Sequence, residues 1–367
     1  MTFCVGFMHD KGVFLAADSL ISEDKNIKTE QLLGSTSSVG ENLENIEKTL
    51  SESLVKVVKI SDEVMATFAG DKVDVALERM MYIKEQIEII GIDPEEAFKK
   101  ALKNPNLDKA NPDITVLFAY KKGGKPSLLS YNFEIGKREI LSHNKGEILQ
   151  IGSGCENLLL KEGSKKIIEG LDSKSNAPDI LATVLAGLQS TSIRANTIEQ
   201  STGGFYYGGF LNEEDLKFME NTLYIFYGID ERKNPPLDVR NELSFHHLVK
   251  EEMSLVYSTH FEHKDGIFAY YLKDISEYNK IKKTPELMNK IAQLKEQYFK
   301  GDLVYIVSLN ILHNEFVLCK KEDHQGYPFR TQNDDGNMEV GLPDKVIDEI
   351  VSLRKHNVNN LRVHRWI

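Results

Sequence analysis

The first seventeen residues have the alternation of apolar runs and a polar turn that is typical of a β-hairpin. Residues 2–8 and 13–17 are mostly apolar, and His9-Asp10-Lys11-Gly12 between them has the composition of a turn. Similar runs predict further strands along the first 230 residues. These strands lie at 55–60, 64–69, 113–120, 127–133 and 148–151, with a last hairpin formed by 204–211 and 222–227.

Between these strands, four segments have the apolar spacing of amphipathic helices. One of them starts at Asp93-Pro94-Glu95-Glu96, where Asp93 can cap the helix and Pro94 suits its first turn. The other three span 73–90, 156–169 and 178–193. Strand pairs that alternate with helix pairs predict a layered α/β (α+β) sandwich, with helices on the outer faces of two sheets.

Two regions depart from this regular pattern. Residues 22–53 are largely polar, and only 43–50 have the spacing of a short helix, so we predict a long loop that could form a lid. After Gly228 the character changes, and Lys233-Asn234-Pro235-Pro236 is a plausible boundary. Beyond it we predict strands at 255–260, 267–272, 303–309 and 315–319, and helices at 285–299 and 344–355.

Composition and charge narrow the possible functions. The 367 residues carry a formal net charge of −11, which argues against nucleic acid and anionic membrane surfaces as partners. No apolar stretch is long enough to span a membrane, and the first fourteen residues lack the basic start of a signal peptide. The three cysteines are far apart and lack disulfide-framework spacing. We expect a cytoplasmic protein.

The sequence gives little indication of a metal site or of a cofactor site. Cys4, Cys155 and Cys319 lack the paired spacing of zinc ligands, and the histidines have no metal-ligand spacing with carboxylates. Asp334-Asp335-Gly336 resembles the start of a calcium loop but the other ligands are missing. We therefore predict no metal and no organic cofactor.

Thr2 is the most informative single residue, because it directly follows Met1. A threonine with a free α-amino group carries both a nucleophile and its own general base, since the amine has an ordinary pKa of about 7.7–8. A second residue this small permits removal of Met1. The alternative is that Thr2 merely begins an edge strand.

Several later segments match, in order and spacing, the motifs of one family. Thr2 is followed by Gly12-Val13-x-x-Ala16-Ala17-Asp18-Ser19, and then by Val55-Lys56-Val57-Val58-x-Ile60 with Gly70 after it. Gly152-Ser153-Gly154 and Glu199-Gln200-Ser201-Thr202-Gly203-Gly204 complete the set. Residues 2–227 thus resemble the proteasome β-subunit family and its bacterial two-component relative, both N-terminal-nucleophile hydrolases.

The resemblance implies a four-layer αββα domain over 2–227 and a role for each matched residue. Thr2 would be the nucleophile, Asp18 would orient Lys56, and Lys56 would disfavour protonation of the Thr2 amine. Gly70 would donate its N–H to the oxyanion, while Ser153, Glu199 and Thr202 would hold the amine. Ser22 would pair with an extended substrate, and Phe68 would lie at the base of a specificity pocket.

The sequence also departs from the family. Glu199 and Thr202 stand where the family usually has aspartate and serine, and the segment between Asp18 and Lys56 is longer. Simpler interpretations also remain open. Lys56 and Asp18 could form a structural ion pair, Ser153 could cap a helix, and Phe68 could be a core residue.

The leading hypothesis is a threonine hydrolase that cleaves peptide or other amide bonds through an acyl-enzyme ester. Alternatives are a small-molecule amidase of the same superfamily and a non-catalytic structural subunit. The resemblance also implies a homo-oligomer, whereas the sequence names neither a substrate nor an ATP-dependent unfoldase partner. Residues 228–367 form a C-terminal α/β extension of unknown role, which we predict alters self-association.

Overall fold

The structure is a computed structural model. It describes residues 2–24, 48–52, 56–70, 73–104, 113–134, 137–195, 197, 202–219, 222–230, 238–250, 253–260, 266–271, 303–308, 315–320, 331–332, 338–339 and 362–365. The strands in chain order are β1 (Cys4–His9), β2 (Gly12–Ala17), β3 (Leu20–Asp24), β4 (Lys48–Glu52), β5 (Val57–Ser61), β6 (Val64–Gly70), β7 (Ile114–Lys122), β8 (Lys125–Glu134), β9 (Lys137–His143), β10 (Ile148–Ile151), β11 (Tyr207–Leu211), β12 (Leu216–Phe218), β13 (Thr222–Asp230), β14 (Asp238–Lys250), β15 (Met253–His260), β16 (Gly266–Tyr271), β17 (Leu303–Ser308), β18 (Glu315–Lys320), β19 (Thr331–Gln332), β20 (Met338–Glu339) and β21 (Arg362–Arg365). The helices in the described residues are α1 (Val73–Glu88), α2 (Pro94–Lys103), α3 (Leu158–Glu169) and α4 (Ala177–Arg194).

Two antiparallel sheets of five strands each form the first part of the chain. The first sheet has the order β10-β1-β2-β11-β12, and the second has the order β5-β6-β7-β8-β9. The hairpin predicted at the N-terminus is present as β1 and β2, in which Cys4 pairs with Ala17 and His9 pairs with Gly12. The mixed α/β fold with two sheets is as predicted.

Two hydrophobic cores hold the helices and sheets together. The first core joins residues of both sheets, such as Val5 and Leu117, to α3 and α4. The second core lies between the second sheet and the pair α1 and α2, where Phe98 stacks on Phe118. Burial of apolar surface on both faces of the second sheet stabilises this arrangement. The four-layer αββα description stays a prediction.

The helices begin where capping residues predict. The Asp93 side chain accepts a hydrogen bond from Glu95 N, and Pro94 occupies the first turn of α2. Asn157 caps α3 in the same way by accepting from Leu160 N, so α3 begins after the short 3-10 helix at Ser153–Glu156. The prediction of a helix from Glu156 therefore started two residues too early.

The segment predicted as a loop over 22–53 begins and ends as a β-ribbon. β3 pairs with β4 in antiparallel register, with Ser22 opposite Leu50, so the helix predicted for 43–50 is wrong over 48–50. The sequence did not indicate β3 and β4, because their mostly polar residues lack the apolar alternation that predicts a half-buried strand. Residues 25–47 lie outside the described residues.

A correction concerns the last predicted hairpin. β11 lies between β2 and β12 in the first sheet, whereas β13 lies between β14 and β17 in another sheet, so β11 and β13 are not paired. This further sheet has seven strands in the order β16-β15-β14-β13-β17-β18-β21. The strands predicted at 255–260, 267–272, 303–309 and 315–319 are present as β15, β16, β17 and β18.

The boundary predicted after residue 227 falls inside β13, whose Tyr224 and Phe226 belong to the first core. The division into two domains stays a prediction. The helices predicted at 285–299 and 344–355 lie outside the described residues. Across the part of the chain that the structure describes, no helix combines the length and apolarity needed to cross a membrane.

Candidate active site

Strand register brings three chain segments to one end of the first sheet. Cys4 of β1 pairs with Ile151 of β10 on one side and with Ala17 of β2 on the other. Because these pairs are antiparallel, the residue before β1 lies beside the residues that follow β10 and β2. Tyr207 of β11 also pairs with Ala17, which adds the residues before β11 to the same place.

Asp18 lies at the centre of this end and is 1% exposed. Its Oδ1 accepts a hydrogen bond from Phe3 N at 3.1 Å, and its Oδ2 accepts one from Gly203 N at 2.9 Å. Asp18 N in turn donates to Phe3 O at 3.1 Å. The carboxylate therefore fixes the residue after Thr2 and the segment before β11 at once.

Lys56 completes the surroundings of Asp18. Its Nζ donates to Asp18 Oδ1 at 2.6 Å and to the carbonyl oxygen of Leu20 at 2.6 Å. The lysine is 2% exposed, so the ion pair is buried, and a buried pair needs such added hydrogen bonds to offset desolvation. Because Lys56 Nζ and Phe3 N share one carboxylate oxygen, the ammonium lies close to the start of β1.

Thr2 is held by the turn at Gly152-Ser153-Gly154. The Thr2 N–H donates to Ser153 Oγ at 3.4 Å, and the Thr2 carbonyl accepts from Gly154 N at 2.9 Å. A Cβ at Gly152 would lie 2.1 Å from that carbonyl oxygen, and the φ of Gly152 is +95°. Only glycine fits there, which gives the Gly-Ser-Gly motif a physical reason.

Thr202 and Gly203 lie beside the same turn. Thr202 N donates to Thr197 O at 3.1 Å, and Thr197 Oγ1 donates to Thr202 O at 2.9 Å. A Cβ at Gly154 would lie 2.8 Å from the Thr202 methyl group, so these residues are close neighbours. Gly203 is fixed further because its carbonyl accepts from Leu20 N at 3.0 Å.

Two residues that the sequence analysis did not identify hold the segment before β11. Gln189 of α4 donates through Nε2 to Gly204 O and accepts at Oε1 from Tyr206 N, both at 3.1 Å. Ser19 Oγ accepts from Phe205 N at 2.8 Å. Both side chains bond to backbone atoms more than ten positions away, so these contacts could not be foreseen, although Ser19 itself stands in one of the matched segments.

Gly70 ends β6 and is exposed. A Cβ at this position would lie 2.4 Å from Asp113 O, so close contact with the neighbouring strand is one reason for glycine there. Its role as an oxyanion donor stays a prediction. Phe68 is 2% exposed in the second core, with residues of α1, and its pocket role likewise stays a prediction.

The remaining predicted site residues are described only in part. Ser22 lies in β3, but its side chain is not described, and Glu199 lies outside the described residues. Thus Thr2, Asp18, Lys56, Ser153 and Thr202 lie at one end of the first sheet. Their catalytic roles stay predictions.

Cys4 is a buried thiol in the same neighbourhood. Its Sγ donates to Phe68 O at 3.3 Å, and burial raises the pKa of the thiol to about 12. A thiol that stays protonated at neutral pH is a poor nucleophile. Among the described residues, no group of three or more histidine, cysteine, aspartate or glutamate side chains could hold a metal ion.

Comparisons with known proteins find a structural likeness but no match in sequence. No protein-family model and no curated protein matches this chain. A solved structure, the crystal structure of eukaryotic HslV from Trypanosoma brucei, is similar over 57% of this chain and 99% of its own, with 16% identity and a TM-score of 0.38. A likeness of that size carries no argument about function, so the function proposed below rests on the geometry around Thr2.

Proposed function

We propose that the protein is a threonine-type hydrolase of peptide or other amide bonds, with Thr2 as its nucleophile. The observation that supports this most is the hydrogen bonding of one buried carboxylate. Asp18 Oδ1 accepts from Lys56 Nζ at 2.6 Å and from the backbone N–H of Phe3 at 3.1 Å, so a buried ammonium and the residue after Thr2 share one carboxylate oxygen. A structural ion pair alone would not need to lie beside the start of β1.

The proposal requires that the peptide bond before Thr2 is cut. The Thr2 nitrogen already lies 3.4 Å from Ser153 Oγ, so the freed amine would have a hydrogen-bond partner without rearrangement. The positive charge of Lys56 would disfavour protonation of that amine and keep it available as a base. Glu199 and Thr202 would contribute to holding the amine.

The reaction follows from these groups. The Thr2 hydroxyl oxygen attacks the carbonyl carbon of the amide, and the hydroxyl proton passes to the α-amine. The Gly70 N–H donates to the negative oxygen of the tetrahedral intermediate. The C–N bond then breaks, the leaving amine takes the proton from the α-ammonium, and an ester on Thr2 remains. Water activated by the amine hydrolyses this ester.

Substrate and assembly follow from the same proposal. Ser22 of β3 would pair with an extended substrate, and Phe68 would shorten the pocket for its side chain. The protein would self-associate, with residues 228–367 changing the contact surface. Light scattering on a chain cut after residue 230 tests this assembly, because the subunit count should change. An unchanged count would contradict it.

The experiment for the catalytic claim compares hydrolysis by variants of Thr2. Thr2→Ala keeps the amine and loses the nucleophile, so we expect no hydrolysis above background. A chain with an extension before Thr2 that resists removal keeps the hydroxyl and loses the amine, and it should be equally inactive. Thr183→Val, a buried threonine whose hydroxyl bonds only within α4 at Asp179 O, is the control and should remain active. Full activity in either of the first two variants would overturn the proposal.

A further inference from the structure

Three side chains on β8, β9 and the turn after β9 form a hydrogen-bonded series. Ser130 Oγ lies 2.8 Å from His143 Nε2, and His143 Nδ1 lies 2.8 Å from Glu147 Oε2. Serine nucleophiles have this order of atoms, with the hydroxyl on Nε2 of the general base and a carboxylate on Nδ1. None of the three residues belongs to the Thr2 site.

Strand register explains why the serine and the histidine meet. Ser130 of β8 pairs with Leu141 of β9, and Leu128 pairs with His143. Ser130 and Leu128 share one face of the sheet, so Ser130 and His143 are diagonal neighbours on that face. The His143 side chain is long enough to span the diagonal distance to Ser130. Leu128 belongs to the first core, so the ring of His143 lies beside packed apolar residues.

Glu147 fixes which nitrogen of His143 carries the proton. It lies in the turn after β9, where Asn144 Nδ2 donates to Glu147 Oε1 at 3.3 Å. The hydrogen bond with His143 holds the pKa of Glu147 below its ordinary value, so at neutral pH the carboxylate is ionised and can only accept. His143 Nδ1 must therefore be the donor of this bond, and in the neutral ring Nε2 is left as an acceptor for the Ser130 hydroxyl.

The base is largely sheltered from solvent, whereas the carboxylate that orients it is exposed. The His143 side chain is 11% exposed, whereas that of Glu147 is 46% exposed. Ser130 is half-buried, and β9 is the edge strand of the second sheet. One strand, β7, lies between Ser130 of β8 and Thr67 of β6, so the two residues are two strand spacings or about 10 Å apart. The group is thus separate from the residues around Thr2.

We propose that Ser130 is a second nucleophile of this protein and takes small activated esters, with His143 as its general base and Glu147 as the residue that orients the ring. Ser130 Oγ bonds to the acyl carbon while its proton moves to His143 Nε2. The ester C–O bond breaks, and the leaving alcohol takes that proton. Water then attacks the acyl-serine, transferring a proton through His143 and releasing the acid.

General-base assistance of this kind is worth about 10²–10⁴-fold in rate. The Ser130 site therefore differs from the proposed Thr2 site in a measurable way. Ser130 has no α-amine beside its hydroxyl, so reagents that need both groups react at Thr2 alone. A fluorophosphonate needs only an activated hydroxyl, because the serine oxygen bonds to phosphorus, fluoride leaves, and the proton goes to the base.

The test uses the full-length protein with Thr2→Ala, which removes the nucleophile of the proposed main site. This protein is incubated with an alkyl fluorophosphonate, and the adduct is located by intact mass and peptide mapping. We expect one adduct, on Ser130, and no adduct when Ser130→Ala is added. His143→Gln should slow the labelling by about 10²-fold or more. Ser130→Ala in the otherwise unchanged chain should leave Thr2-dependent hydrolysis unaltered.

Ser127→Ala is the matched control, because Ser127 lies on the same strand and bonds to Lys125 O instead of a histidine. It should label at the same rate as the parent. Should His143→Gln fail to fold, Glu147→Gln replaces it, and we expect labelling slowed by about 10-fold or more because the tautomer is no longer fixed. The absence of an adduct on Ser130, or undiminished labelling in His143→Gln or Glu147→Gln, would overturn this proposal. Neither result would bear on the proposal for Thr2.

Discussion

Lys56 Nζ lies 2.6 Å from Asp18 Oδ1, and both side chains are almost completely buried, at 2% and 0% exposure. A buried pair of this kind is costly to form and still more costly to break, because removal of one partner leaves a buried charge. The proposed function gives this pair, which lies beside the start of β1, a role beyond packing.

Lys56→Met should remove activity and destabilise the fold. The Asp18 charge would keep two backbone donors and lose its cation, at a cost of about 3–5 kcal/mol in the free energy of unfolding. Urea unfolding and peptide hydrolysis measure both effects. Asp18→Asn should reduce activity somewhat less. Lys59→Met is the control, since the exposed Lys59–Asp62 pair is also 2.6 Å long and should contribute at most about 1 kcal/mol. Equal losses in the two lysine variants would contradict the expectation.

Gly152→Ala should displace Thr2. The added Cβ would lie 2.1 Å from the Thr2 carbonyl oxygen, so the turn and the start of β1 cannot keep their present distance. We expect hydrolysis to fall by at least about 10²-fold, because small displacements of a nucleophile are that costly. Gly146→Ala is the matched control, because its φ of +91° resembles the +95° of Gly152 but nothing lies within 4 Å of the added atom. If both variants lost activity alike, backbone strain and not the contact with Thr2 would be responsible.

Gln189→Leu should loosen the segment before β11. Gly204 O and Tyr206 N would each lose the hydrogen bond to this side chain, and one such bond contributes about 0.5–1.5 kcal/mol. Because Gly203 N binds Asp18 Oδ2, we expect kcat to fall more than KM changes. Gln150→Leu also removes a glutamine with two bonds, to Lys161 O and Ser164 Oγ, and should leave kcat nearly unchanged. A similar fall of kcat in both would show that general stability is the cause.

Phe68→Ala should change both stability and specificity. Truncation of a buried phenylalanine costs about 3–5 kcal/mol, and the space left should favour larger side chains in the substrate. The measurement is the ratio of kcat/KM for substrates with large and small acyl side chains. Phe118→Ala removes a ring from the same core and should destabilise without changing that ratio. The pocket role fails if Phe68→Ala leaves the ratio unchanged.

The thiol of Cys4 should resist maleimide in the folded protein. Burial raises the pKa of this thiol to about 12, so at pH 7 to 9 the fraction present as thiolate is very small and labelling should be slow throughout this range. Peptide mapping should find Cys4 unmodified in the native state and modified in urea, and activity should survive the treatment. Rapid native labelling of Cys4 with loss of activity would instead favour a thiol nucleophile.

The parts of the fold and of the candidate site that could be predicted are those that residue spacing and apolar alternation encode. Asp18 and Lys56 were singled out because the segments around them resemble motifs of a known family, and β1 with β2 has the simplest hairpin signal. The pairing of β11 was predicted wrongly, because its partner β2 is far away in the chain. Gln189 and the Ser130–His143 contact could not be foreseen, since both depend on how helices and strands pack and not on any local motif.

The most direct test of the claim for Thr2 is the mass of an adduct with an epoxyketone. The Thr2 hydroxyl would add to the ketone carbon and the free α-amine would open the epoxide, so one reagent requires both groups on one residue. We expect a single adduct per chain on the N-terminal peptide beginning at Thr2, with none in Thr2→Ala. Absence of an adduct from protein whose amine is shown to be free, or an adduct on another residue, would contradict the claim.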